Sequence, residues 1–210
     1  MTLSLPGLCS DAVELRFGLP ERYRRQAAEI CYAAFRAKFA PIMRCETRAV
    51  AVLERDMRGE QAIVALWQEH LAGFAGLHEH GGRAFIDFRS ETFQREFGRV
   101  RGLVKLLLFA PFVQRPARGE LLLETIAVHA SARGRGIGSR LIEAVLAYAS
   151  ESGFRAVALE VVDTNLGAQR LYERMGFAPR RVERVPFLRP IMGFSAAIRM
   201  VKEISHRDTF

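Results

Sequence analysis

Between Leu121 and Phe177 the chain reads strand, glycine–arginine loop, helix, strand, helix, and this alternation commits it to a mixed α/β fold. The run from Leu121 to Val128 is apolar and ends on β-branched residues, which suits a buried strand. After the loop at 133–138, Ile137, Leu141, Val145 and Ala149 recur every four residues with Ile142 and Leu146 beside them. That spacing predicts an amphipathic helix, with Gly153 placed to end it. Ala156 to Val162 is the next strand. Asp163 or Thr164 is placed to cap a second helix that carries Ala168, Leu171, Tyr172 and Met175 and closes at Gly176.

The loop empties directly into a helix N-terminus. The first turn of a helix has N–H groups without partners and a partial positive charge. Glycines at 134, 136 and 138 let a ligand reach bare backbone, and Arg133 and Arg135 add forked cationic donors. Arg133, Gly134, Arg135, Gly136, Ile137, Gly138 and Ser139 therefore form a candidate pyrophosphate site. A plain strand-to-helix turn is the alternative, but three alternating glycines with two arginines exceed what a turn requires. The Walker pattern fails for want of Gly-Lys-Ser/Thr. The dinucleotide pattern G-x-G-x-x-G has Ser139 at its third glycine, and five residues separate Val128 from Gly134 where the fingerprint leaves its strand at once. Glu160 lies roughly where a ribose-binding acid would sit, so that rival is weakened, not removed.

Two motifs in this stretch resemble the GNAT superfamily of acyl-CoA-dependent N-acetyltransferases. The family's Arg/Gln-x-x-Gly-x-Gly/Ala loop is matched by Arg133, Gly136 and Gly138, after an Ile126-to-His129 lead-in similar to the family's strand end. The second motif, Asn-x-x-Ala-x-x-Leu-Tyr-x-x-x-Gly-Phe, is matched by Asn165, Ala168, Leu171, Tyr172, Gly176 and Phe177. The resemblance covers about residues 120–180. It implies a mostly antiparallel central sheet flanked by helices and acetyl-CoA as co-substrate. It also implies that backbone at Ile126, Ala127 and Val128 holds the pantetheine and polarises the thioester, and that the Tyr172 hydroxyl lies near the sulfur. For Asn165 two roles stay open, a helix cap or a bond to the pantetheine arm.

At 210 residues, one domain spanning 1–210 is the natural expectation. Hydrophobic residues make up 50% and charged ones 26%, ordinary for a globular protein. The net charge of +8, mostly arginine, suits an anionic ligand and permits weak contact with nucleic acid or an anionic membrane. The arginines are scattered, which argues against a specific nucleic-acid partner. Three cysteines at 9, 31 and 45 follow no metal or redox spacing, and a reduced, cytoplasmic setting fits best. No signal-peptide pattern opens the chain. The longest apolar run, Leu103 to Val113, is interrupted by Lys105 and Pro111 and is too short to span a bilayer.

Residues 1–11 read as a lead-in and Val13 to Phe17 as a first strand. A helix is expected from Pro20 to about Phe39, interrupted by Pro41. A second helix follows, with Val50, Leu53 and Met57 as its stripe, then a hairpin of Ala62–Trp67 and Leu71–His78. Residues 79–119 are expected to be a helical insertion before the cofactor-binding strand, with helix around 90–112 broken near Gly98 or Gly102. It is read either as a lid on the acceptor site or as a packing or dimer surface. Val182–Val185 and Ser195–Val201 close the sheet, and 203–210 read as a frayed tail.

Acetyl transfer to an amine needs a base for the ammonium proton and benefits from an acid for the departing thiolate, with pKa values near ~10.4 and ~8.5. Glu124 is the candidate base; on a regular strand it shares a face with Ile126 and Val128. The alternative is a structural ion pair with an arginine. Tyr172 is the candidate acid, by the resemblance; by pattern alone it is a core tyrosine. His78 and His80 lack a third ligand, so no metal is expected. His129 reads as a loop residue, and no G-x-S-x-G elbow marks a serine hydrolase. An acetyltransferase acting on a small-molecule or protein amine is the leading reading. A non-catalytic acyl-CoA-binding module and a nucleotide-dependent oxidoreductase are the alternatives. The acceptor is not legible, and a homodimer is compatible with the sequence without being readable from it.

Overall fold

The computed structural model describes residues 13–204. The lead-in expected over 1–11, Cys9 and the tail from 205 onward lie outside the described residues. Seven strands are β1 (Glu14–Phe17), β2 (Ala62–Trp67), β3 (His70–Glu79), β4 (Glu120–Val128), β5 (Ala156–Val162), β6 (Ala178–Arg184) and β7 (Ala196–Glu203). They form one sheet in the order β1-β2-β3-β4-β5-β7-β6, antiparallel at every step except the parallel β4–β5 pair. The mixed, mostly antiparallel sheet flanked by helices expected from the sequence is therefore present. β7 lies between β5 and β6, and it runs to Glu203, past where the polar tail was expected to begin.

The helices are α1 (Arg24–Ala34), α2 (Arg36–Met43), α3 (Glu46–Asp56), α4 (Ser90–Phe97), α5 (Arg99–Phe109), α6 (Ile137–Glu151), α7 (Leu166–Arg174) and the single turn α8 (Arg189–Met192). Two cores result, one on each face of the sheet. On one face Ala27, Cys31, Phe39, Val52 and Leu53 of α1–α3 pack with Phe85, Phe93 and Phe109. On the other, Ile137, Leu141, Ile142 and Val145 of α6 pack with Leu121, Leu123, Val157, Leu159 and Tyr172. The four-residue recurrence along α6 is thus its buried stripe.

The helix expected from Pro20 to Phe39 is corrected. It breaks at Phe35, whose φ of −114° and ψ of 28° leave the helical region, and Pro41 sits inside α2 instead of interrupting it. α2 is so short that the hydrogen bond lost at proline is one of few. The expected break between α4 and α5 falls at Gly98, at φ +84°. Gly102 lets the two helices touch, since a Cβ there would lie 2.5 Å from the Phe93 carbonyl oxygen.

The segment between β3 and β4 is clasped to α3 by Asp56. This buried carboxylate accepts from Thr92 Oγ1 at 2.7 Å, Arg89 Nε at 2.9 Å and the Arg89 backbone N–H at 3.0 Å. The clasp fixes the stretch around Phe85, and Phe85 touches the site described next.

Candidate active site

The parallel pairing of β4 and β5 lasts only from Glu120 opposite Ala156 to Leu123 opposite Leu159. Beyond that rung β4 is paired only to β3, and β5 only to β7. The two strands diverge, and a wedge opens between them with unpaired backbone on its edges. Ile126, Ala127 and Val128 form the β4 edge of that wedge.

A second irregularity sits at the same place. Gly76 pairs with Thr125, but Leu77 pairs with Leu123, so Glu124 is an extra residue opposite no partner. Such a bulge shifts the side-chain alternation by one residue. Leu121 and Leu123 lie on the α6 face, and so do Ile126 and Val128, which strict alternation would have put on the other side. Glu124 lies on the α1 face, where its carboxylate accepts from the backbone N–H of Phe85 at 2.8 Å and of Ile86 at 3.4 Å. The expectation that Glu124 shares a face with Ile126 and Val128 is overturned by this bulge. The arginine ion pair considered for Glu124 is also not formed, since its partners are backbone amides. Gly76 makes the contact possible, because a Cβ there would meet the Phe85 ring at 2.2 Å.

Burial pushes the Glu124 carboxyl up to about 7, against the pull of Lys38 and the two amides. Lys38, in α2, is held below the usual ammonium range by burial, and its Nζ lies 5.1 Å from the Phe112 ring centroid. Glu160 is the first β5 residue past the last shared rung, as Glu124 is on β4. It accepts from Gln114, and burial raises its carboxyl above the ordinary range. Lys38, Phe112 and Gln114 were missed by sequence reasoning. They come from α2 and from the stretch after α5, and no motif marks them. Glu160, weighed as a ribose-binding acid, is bonded to Gln114.

On the α6 face the anion loop is open. Gly134 and Gly136 both have φ of +75°, and a Cβ on either would meet nothing within 4 Å. Gly136 caps α6, and no side chain among the described residues accepts from the first-turn amides of α6. Arg133 Nε donates to the Val128 carbonyl at 3.3 Å, and the Arg135 guanidinium lies 4.3 Å from the Trp67 ring centroid. Arg133 is thereby held at the end of β4 and Arg135 at the end of β2. Gly138 and Ser139 lie in the first turn of α6, whereas the Ile137 side chain is core and offers only its backbone.

Tyr172 is buried on this same face, in edge contact with Phe177 at 6.1 Å between centroids. Burial pushes its phenol up to about 12, and no hydrogen bond joins its hydroxyl to another described residue. Asn165 caps α7, its Oδ1 accepting from the Ala168 N–H at 3.2 Å. Asp163, expected as a cap, instead accepts from the Ser195 N–H at 3.2 Å. His129 caps the short turn after β4 through Ser131, and His80 Nδ1 lies 3.0 Å from the Pro116 carbonyl oxygen. Among the described residues no group of three His, Cys, Asp or Glu is arranged to hold a metal.

The model of the acetyltransferase (GNAT) family matches residues 27–177. The chain belongs to the GNAT family. Among curated GNAT relatives, a probable N-acetyltransferase camello of Xenopus tropicalis is 43% identical over 72 residues, 34% of this chain and 33% of that protein. The L-2,4-diaminobutyric acid acetyltransferase of Wolinella succinogenes is 32% identical over 97 residues, 45% of this chain and 52% of that protein. The chain thus spans between a third and about half the length of these relatives. An N-acetyltransferase from Staphylococcus aureus shares the fold at TM-score 0.62 and 16% identity, over 90% of this chain and 99% of that one. An acetyltransferase of Bacillus subtilis, solved in complex with CoA, gives TM-score 0.56 at 12% identity over 92% and 100%.

Proposed function

We propose that this GNAT protein is an N-acetyltransferase that moves an acetyl group from acetyl-CoA to a primary amine by direct attack. The observation that carries the reading is the wedge between β4 and β5. It opens beside an unplugged helix N-terminus on one face of the sheet and a carboxylate poised near neutrality on the other. The pyrophosphate binds the amides of Gly134 to Ser139 with Arg133 and Arg135 around it. The pantetheine then lies along Ile126, Ala127 and Val128, whose backbone polarises the thioester carbonyl. The spare amide nitrogen of Asn165 supports the arm while its oxygen caps α7.

The two faces divide the proton work. Glu124, on the α1 face, takes the ammonium proton directly or through a water. The freed lone pair forms the N–C bond as the C–S bond breaks. Tyr172, on the α6 face, gives its proton to the departing thiolate. A base near 7 suits this task, because a large fraction is ionised at neutral pH while it still holds a proton well enough to abstract one. The acceptor enters from the α1 face, past Lys38, Phe112 and Gln114, and is a small-molecule or protein amine. The free thiols of Cys31 and Cys45 are in keeping with a cytoplasmic setting.

Calorimetry with coenzyme A, followed by an acceptor screen read by free thiol, tests the proposal. Absence of coenzyme A binding removes it. Binding without thiol release on any amine would leave the non-catalytic acyl-CoA module in its place.

A further inference from the structure

The apolar run at 103–113 is not consumed by the fold. On α5 the side chains of Val100, Leu103, Val104, Leu107 and Leu108 are 77%, 47%, 52%, 62% and 52% exposed. Their spacing of three and four places them on one helix face. The opposite face is already committed: Gly102 and Phe109 are buried, and Lys105 donates to the Ile42 carbonyl of α2. The outward stripe is therefore a second apolar face on a helix whose first one packs the core. At 100° per residue, Arg99 and Arg101 fall on its two edges, both exposed, and α5 carries no acidic residue.

A second apolar ridge lies nearby. Phe187 is 71% and Ile191 62% exposed, on the turn that leads into and forms α8. α2 packs against both α5 and α8. Between α2 and α8 runs a groove of about 690 Å³ whose lining includes Arg36 and Arg44. Apolar ridges bordered by arginines, on a chain of net charge +8, complement a surface that is greasy beneath and anionic above.

From this we infer that α5 docks the protein on an anionic lipid surface. The stripe enters the headgroup–acyl boundary while Arg99 and Arg101 meet lipid phosphates at its edges. No helix among the described residues is long and apolar enough to cross a membrane, so the contact is peripheral. A second copy fits less well. Self-pairing of this helix would set arginine edges against arginine edges.

The test is co-sedimentation of the full chain with phosphatidylcholine vesicles, with and without about 30% phosphatidylglycerol or phosphatidylserine. Binding to the anionic vesicles is expected, weakening steeply as salt rises. Leu103→Glu with Leu107→Glu should lower the partition coefficient at least about tenfold while leaving coenzyme A affinity and Tm near wild type. If that pair fails to fold, Arg99→Glu with Arg101→Glu should abolish the preference for anionic over neutral vesicles. Equal partition of a folded variant and wild type overturns the inference, as does no vesicle binding at all. So does a concentration-dependent dimer in sedimentation velocity that the leucine pair dissolves, which would make a second copy the occupant.

Discussion

Replacing Glu124 by glutamine separates the catalytic reading from a structural one. The wild-type carboxyl titrates near 7 in the folded protein because of burial, against about 4.3 in an unfolded chain. The folded state therefore holds the proton more tightly. The stability associated with it is fully present below about pH 4.3 and is lost as pH rises through 7, to a total of about 4 kcal/mol. Glutamine has the same shape, carries no charge at any pH and keeps an oxygen for the Phe85 amide at 2.8 Å. It gives up the longer bond from Ile86, a small and pH-independent loss. Glu124→Gln should thus unfold at about the same urea concentration as wild type at pH 4.5, and be more stable by up to about 4 kcal/mol at pH 8.5. Its activity should move the other way. With any productive amine, kcat/KM should fall by about 10²–10⁴ and lose the ascending limb near pH 7 that wild type shows. If the variant keeps both the rate and the limb, Glu124 is not the base. If the two proteins differ in stability by the same amount at both pH values, the carboxylate is not titrating near 7.

Tyr172→Phe removes a hydroxyl that has no hydrogen-bond partner among the described residues, so Tm should stay within about 2 °C while kcat falls about 10²-fold and coenzyme A affinity holds within about twofold. Gly136→Asp places a β-carbon and a negative charge at the open α6 cap, at φ +75°; calorimetry should show coenzyme A binding weakened at least about tenfold, and Arg133→Ala should weaken it less. Asp56→Ala leaves the Thr92 hydroxyl and the Arg89 amide without their acceptor, and should cost about 2 kcal/mol in chemical denaturation while loosening the stretch that carries Phe85.

The glycine–arginine loop proposed to hold the cofactor was legible as a strand-to-helix loop because it is built from neighbours in the chain. A strand, a glycine loop and a helix that follow one another between Glu120 and Glu151 fix their own geometry, and α6 shows its buried stripe at the expected four-residue spacing. The end at Gly153 was equally readable, whereas the break near Gly98 or Gly102 was narrowed to Gly98 only by its positive φ. The acceptor half was not readable. Its members come from α2, from the segment after α5 and from β5, and each has an ordinary neighbourhood in sequence. The break at Phe35, with Pro41 left inside a helix, shows the same limit, because packing against α3 and α5 outweighed the local signal.

By itself, then, the sequence determined the family, the mixed sheet and the glycine-rich loop that opens α6, because those depend on local spacing and backbone conformation. Only the tertiary structure decided which face of the sheet Glu124 occupies. A one-residue register slip against β3 leaves no mark in the strand's own composition, yet it carries the carboxylate to the opposite face from Ile126 and Tyr172. Pairing register is a property of two strands some fifty residues apart, and burial, which raises that carboxyl to about 7, exists only once both faces are packed.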